Sequence, residues 1–137
     1  MNKPLIFAIE DDAATRRLLE KAITNIGFAF EGFDRIRDAK ARLERAAPDV
    51  IVVDGLLPDG SGIDFIRELV ASSAGRRPKL VFFSAIFRDL RTRHYLKDLG
   101  VEVVMDKPMS ILQLREKIAG LLNIQLIGPR RAEAPAA

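Results

Sequence analysis

Cysteine is absent from the 137 residues. That excludes disulfides, thiolate zinc sites, iron–sulfur clusters and cysteine nucleophiles. There is one histidine, His94, so mechanisms that need a histidine cluster are excluded as well. No run approaches the ~18 apolar residues of a membrane span. The opening apolar stretch, residues 5–9, is too short for a secretion signal and runs straight into Glu10-Asp11-Asp12. A cytoplasmic protein without membrane contact is expected.

What is present is an ordinary globular balance of 48% hydrophobic and 30% charged residues. The length suits one domain, by the usual ~100–200 residues each. A chain of this size buries roughly 68% of its unfolded surface, enough for a true core. The net charge of +3 is unevenly placed. Residues 1–60 carry −2 and residues 61–137 carry +5.

Two hydrophobic periods alternate along the chain. Apolar runs of strand length fall at residues 5–9, 28–33, 50–53, 80–83 and 101–105. The runs at 5–9, 50–53 and 80–83 are nearly all apolar, the mark of strands covered on both faces of a parallel sheet. Between them lie amphipathic stretches at 13–26, 35–46, 62–73, 88–98 and 110–122, the 88–98 pattern being the weakest. Asp12, Asp34, Ser61 and Ser110 stand where N-caps belong. Gly27 and Gly100 stand where helix ends need a left-handed residue. The sum is (βα)5, a doubly wound five-stranded parallel sheet with helices on both faces and right-handed crossovers. Residues 1–123 form the expected domain, and residues 124–137 a flexible C-terminal tail.

In such folds ligands sit outside the carboxyl ends of the strands. Those ends carry Glu10-Asp11-Asp12, then Asp54, then Ser84-Ala85, then Asp106-Lys107-Pro108. Carboxylates gathered in one crevice repel each other and call for a cation. Oxygen donors without histidine or cysteine point to Mg²⁺. A lysine and a hydroxyl suit the oxygens of a transferring phosphoryl group, which a carboxylate can accept as an acyl phosphate.

The strings Ile9-Glu10-Asp11-Asp12, Asp49-Val50-Ile51-Val52-Val53-Asp54, Leu57-Pro58-Asp59-Gly60-Ser61-Gly62, Phe83-Ser84-Ala85 and Asp106-Lys107-Pro108 occur in this order on the matching elements. Together they make residues 4–122 resemble the receiver domain of two-component response regulators. The resemblance implies a flavodoxin-like strand order 2-1-3-4-5 and a cis Lys107–Pro108 bond. It implies that Asp54 is the phosphoacceptor, assisted by Ser84 and Lys107. Glu10, Asp11, Asp54 and the backbone carbonyl of Leu56 would hold Mg²⁺. A histidine kinase or histidine phosphotransfer protein would be the donor. A stand-alone receiver is expected, with transfer to its own aspartate and self-dephosphorylation as its only chemistry. Its output would be a downstream effector protein, possibly acidic, bound through residues 86–122. Where the family usually carries an aromatic three residues before the lysine, this chain has Val104, so read-out through that ring is not available.

Each residue also has a plainer reading. The acids after residue 9 can cap a helix. Asp54 can form a turn before Gly55, Ser84 can bond to backbone, and Lys107 can be surface charge. His94 reads as a solvated helix position among Arg88, Arg91, Arg93 and Lys97. Nucleic-acid binding is not expected, because Arg130-Arg131 and the basic run come without a reading motif. Two other functions fit the same residues. One is a phosphorylation-independent interaction module of the same fold. The other is a metal-dependent phosphohydrolase, disfavoured because Gly55-Leu56 follow Asp54 in place of a second acid.

Overall fold

The computed structural model describes residues 3–73, 77–87, 89–108 and 110–126. Its elements are β1 (Leu5–Ile9), α1 (Ala13–Thr24), β2 (Ala29–Phe33), α2 (Ile36–Leu43), β3 (Val50–Val53), β4 (Leu56–Leu57), β5 (Gly60–Ser61), α3 (Gly62–Ser72), β6 (Lys79–Ser84), α4 (Leu90–Leu99), β7 (Val103–Asp106) and α5 (Ile111–Leu121). Five parallel strands form one sheet in the order β2-β1-β3-β6-β7. This is the doubly wound (βα)5 architecture expected from the alternating periods, because β4 and β5 only form a small antiparallel hairpin.

The all-apolar strands divide their side chains between two cores. Phe7, Ile9, Ile51, Val53, Leu80 and Phe82 face one side, with Ile36 and Ala39 of α2, Phe65 and Ile66 of α3 and Leu96 of α4. Ile6, Ala8, Val50, Val52, Val81 and Phe83 face the other, with Leu19 and Ile23 of α1 and Leu114 and Ile118 of α5. Successive residues of a strand point to opposite faces, so only an unbroken apolar run can serve both cores.

Caps fix where the helices begin. Asp12 accepts from the Thr15 N–H at 2.9 Å. Ser61 accepts from Ile63 at 3.1 Å and Ser110 from Leu112 at 3.2 Å. Asp34 does not cap α2. Arg35 holds the cap position without a side-chain bond, and Asp59 reaches over from the hairpin to take the Ile36 and Arg37 N–H groups at 2.9 and 3.0 Å. α4 is capped by Asp89, which accepts from Thr92 at 3.0 Å.

Gly27 and Gly100 have φ of 89° and 102°, as helix ends require. The fifth sheet strand begins at Val103, two residues later than its apolar run, because the Val101 N–H closes α4 on Leu96 O at 3.0 Å. Ile124 packs against the α1–α5 core, whereas residues 127–137 of the expected tail lie outside the described residues, as does Arg88. Among the described residues no helix is long and apolar enough to cross a membrane.

Candidate functional site

The sheet ladder continues one residue past β1, β3 and β7, and that sets the site. The Glu10 N–H donates to Phe33 O at 2.8 Å, Asp54 N–H to Ile9 O at 3.1 Å and Lys107 N–H to Ser84 O at 3.0 Å. Glu10, Asp54, Ser84 and Lys107 are therefore placed by backbone bonds at one sheet edge. The Lys107–Pro108 bond is cis.

Lys107 Nζ lies 2.5 Å from Glu10 Oε1 and 3.2 Å from Asp54 Oδ2. It also sits 5.3 Å from the centroid of the Phe83 ring. Glu10 is 3% exposed, so its charge needs partners. Lys107 supplies one, and the Asp12 N–H supplies another by donating to Oε2 at 3.1 Å. Arg16 Nη1 donates to the Glu10 carbonyl at 2.8 Å and fixes the backbone there. Burial pushes the Glu10 carboxyl above its ordinary value, against the pull of the Lys107 ammonium. Burial also works to lower Lys107, but its bond to Glu10 and the Asp54 charge outweigh it, and the ammonium is held above the usual lysine range.

Carboxylate oxygens of Glu10, Asp11 and Asp54 lie within 4.8 Å of one another. Three negative charges face one ammonium, and a divalent cation would balance the remainder. The donors are all hard oxygens, which fits Mg²⁺. Leu56 follows two residues after Asp54 in the hairpin and is 61% exposed. Ser84 is buried, and its Oγ accepts from the Ile86 N–H at 3.2 Å rather than bonding to Asp54. The structure thus gathers Glu10, Asp11, Asp54 and Lys107, with Ser84 on the adjoining strand. His94 is exposed on α4, as its charged neighbours suggested.

The residue pattern did not reveal three supports. A Cβ at Gly62 would fall 1.9 Å from the Asp54 carbonyl oxygen, so the first turn of α3 rests directly on the Asp54 backbone. A Cβ at Gly55 would meet Ser84 Oγ at 2.7 Å and Phe82 Cζ and Phe87 Cδ2 at 2.8 Å each. Asp59 fastens the hairpin after Asp54 to α2. Gly55 and Gly62, in the segment that follows Asp54, were the available signal for close backbone approach. The Asp59 cap spans 23 residues and leaves no local trace.

The sequence model of the response regulator receiver domain matches residues 6–119. The chain belongs to that family. It is 29% identical over 120 residues to the probable transcriptional regulatory protein SilR of Salmonella typhimurium, covering 86% of this chain and 50% of the relative. It is 29% identical over 113 residues to the KDP operon transcriptional regulatory protein KdpE of Escherichia coli, covering 82% and 48%. The chain thus spans about half the length of these relatives. A CheY-like response regulator receiver domain protein from Methanospirillum hungatei JF-1 superposes with a TM-score of 0.80 at 20% identity, over 89% of this chain and 95% of that one. The signal receiver domain of a putative Luxo repressor protein from Vibrio parahaemolyticus gives 0.81 at 22%, over 88% and 91%.

Proposed function

From that membership we propose that the chain is a phosphorylation switch in which Asp54 is the phosphoacceptor. The observation that carries the reading is the cluster of Glu10, Asp11 and Asp54 at the carboxyl edge of the sheet, with Lys107 paired to Glu10 and Asp54. An Asp54 oxygen attacks phosphorus on the phosphohistidine of a kinase or phosphotransfer protein. The phosphorus–nitrogen bond breaks, the imidazole leaves, and an acyl phosphate forms. Mg²⁺, held by Glu10, Asp11, Asp54 and the Leu56 carbonyl, would offset the charge between the carboxylate and the phosphoryl oxygens. Lys107 Nζ lies within reach of Asp54 and would pair with a phosphoryl oxygen. Ser84 would turn its hydroxyl toward the same group. Water later attacks phosphorus, the bond from phosphorus to the Asp54 oxygen breaks, and inorganic phosphate leaves the regenerated carboxylate. The chain turns over no external substrate on this reading.

The modification adds a charge of about −2 beside Ser84 and Lys107. It would bias the surface of residues 86–122 toward an effector protein. α4 presents Arg91, His94 and Lys97 there, with Leu90 73% and Tyr95 39% exposed. A partner with an acidic, partly apolar face fits that surface. We propose that this receiver signals through that protein contact, in the cytoplasm.

Incubation with acetyl phosphate and Mg²⁺ tests the reading by mass. Wild type should gain one phosphoryl group, and Asp54→Ala should gain none. Gain that persists in Asp54→Ala moves the acceptor elsewhere. Val104 favours a second reading, a module that binds constitutively. Absence of any gain in wild type supports that module. Phosphomonoester turnover far beyond one equivalent would instead support a phosphohydrolase.

A further inference from the structure

The loop from β6 to α4 holds an unusual residue. Phe87 has φ of 61°, a left-handed conformation that a bulky side chain rarely takes. Its ring is half-buried and packs on Phe82, with centroids 6.4 Å apart and planes at 52°. The ring edge lies in the gap opened by Gly55. The point where a Gly55 Cβ would stand is 2.8 Å from Phe87 Cδ2 and 2.7 Å from Ser84 Oγ. One missing side chain, next to Asp54, thus leaves room that the Ser84 hydroxyl and the Phe82 and Phe87 rings border together.

Two further contacts join this spot to its surroundings. Phe82, under the ring, is the register partner of both Val53 and Val104. The ring therefore lies on the sheet face where Val104 offers only a short aliphatic side chain. Ser84 Oγ accepts the Ile86 N–H, so the hydroxyl also holds the backbone immediately before Phe87. Beyond Phe87 the chain enters α4.

We propose that Phe87, lodged in the space Gly55 leaves beside Ser84, couples an anion on Asp54 to the position of α4. This inference rests on the phosphoacceptor reading and supplies the read-out that Val104 lacks. A phosphoryl group on Asp54 draws the Ser84 hydroxyl toward it. The Ile86 N–H then loses its acceptor, and the ring loses one wall of its seat. The backbone at Phe87 leaves the left-handed region, and the entry to α4 moves with it. Asp54 needs no large ring at position 104 for this route.

The test uses amide resonances of the full chain with Mg²⁺, before and after addition of beryllofluoride as the phosphoryl mimic. Wild type should respond around Asp54 and across residues 90–99. Phe87→Gly removes the ring and accepts the left-handed backbone, so the loop can keep its path. In it the resonances around Asp54 should respond as in wild type, while those of residues 90–99 should move at least about threefold less. Gly55→Ala fills the gap from the other side. It should displace the residue 90–99 resonances without the mimic, in the direction the mimic moves them in wild type. Undiminished movement of residues 90–99 in Phe87→Gly overturns the coupling and leaves the phosphoacceptor reading standing. So does Gly55→Ala without any displacement there. A wild type whose Asp54 surroundings ignore the mimic overturns both readings.

Discussion

Replacing glycine by alanine in a helix ordinarily stabilises it, by roughly 0.5–1 kcal/mol. Gly62 should do the opposite. It opens α3, and its absent Cβ would lie 1.9 Å from the Asp54 carbonyl oxygen and 2.9 Å from both the Asp54 carbonyl carbon and Val53 Cγ1. No rotamer relieves a clash with backbone. The chain must part by about 1 Å to reach 3.0 Å, the shortest separation real side chains show. Parting strains the 2.9 Å bond from the Gly62 N–H to Gly55 O, worth about 1 kcal/mol. Forcing an added carbon into a filled core costs a further ~1–3 kcal/mol. Set against the helix gain, Gly62→Ala should lose about 2 kcal/mol, or roughly 8 °C in Tm for a domain of this size. Gly120, in α5, has nothing within 4 Å of its Cβ position. Gly120→Ala should therefore gain about 0.5–1 kcal/mol, a rise of a few degrees. Thermal and urea unfolding followed by circular dichroism measure both. A Gly62→Ala protein as stable as wild type would refute the claim that α3 rests on the Asp54 backbone.

Two other substitutions probe the supports of the site. Asp59→Ala should cost about 1 kcal/mol through loss of the α2 cap. Burial is the largest influence on the Asp59 carboxyl and works upward, but the Ile36 and Arg37 N–H groups outweigh it and hold the carboxyl below its ordinary value. The stability it confers is thus present above the unfolded value and lost as pH falls through the lowered folded value. The gap to Asp59→Ala in urea titrations should narrow between about pH 5 and pH 2, and a gap constant with pH would count against the cap. Asp11→Asn removes one unit charge from the carboxylate group and should weaken Mg²⁺ binding on the order of tenfold. Phosphorylation rates across a magnesium titration report it, and an unchanged midpoint would remove Asp11 from the metal set.

The fold was legible because its determinants are local or periodic. The unbroken runs Leu5–Ile9 and Val50–Val53 have the length and composition of strands with two covered faces, and both became central strands. Ser61 and Ser110 announce helix starts within three residues of the groups they cap. The departures arose where another group claimed a backbone N–H. Asp34 has the right chemistry to cap α2, yet Asp59 takes those N–H groups because the hairpin brings its carboxylate there. Val101 has strand character, yet the closing turn of α4 claims its N–H first.

At the site, residue types declared the chemistry and concealed the mechanics. Glu10, Asp11, Asp54 and Lys107 stand out because charge at a strand end is costly without a purpose, and four such residues ended up in one crevice. Gly55 carries no functional group, so nothing in its chemistry singles it out. Its importance is the volume it does not fill, which only the positions of Ser84, Phe82 and Phe87 reveal. Phe87 reads in sequence as one more apolar residue of a loop, and its left-handed backbone has no signature in the neighbouring residues. A family substitution such as Val104 is therefore incompletely read in isolation. A ring lost from one strand leaves the same sheet face open to a ring from another segment. Here a glycine beside Asp54, the proposed phosphoacceptor, gives that ring room.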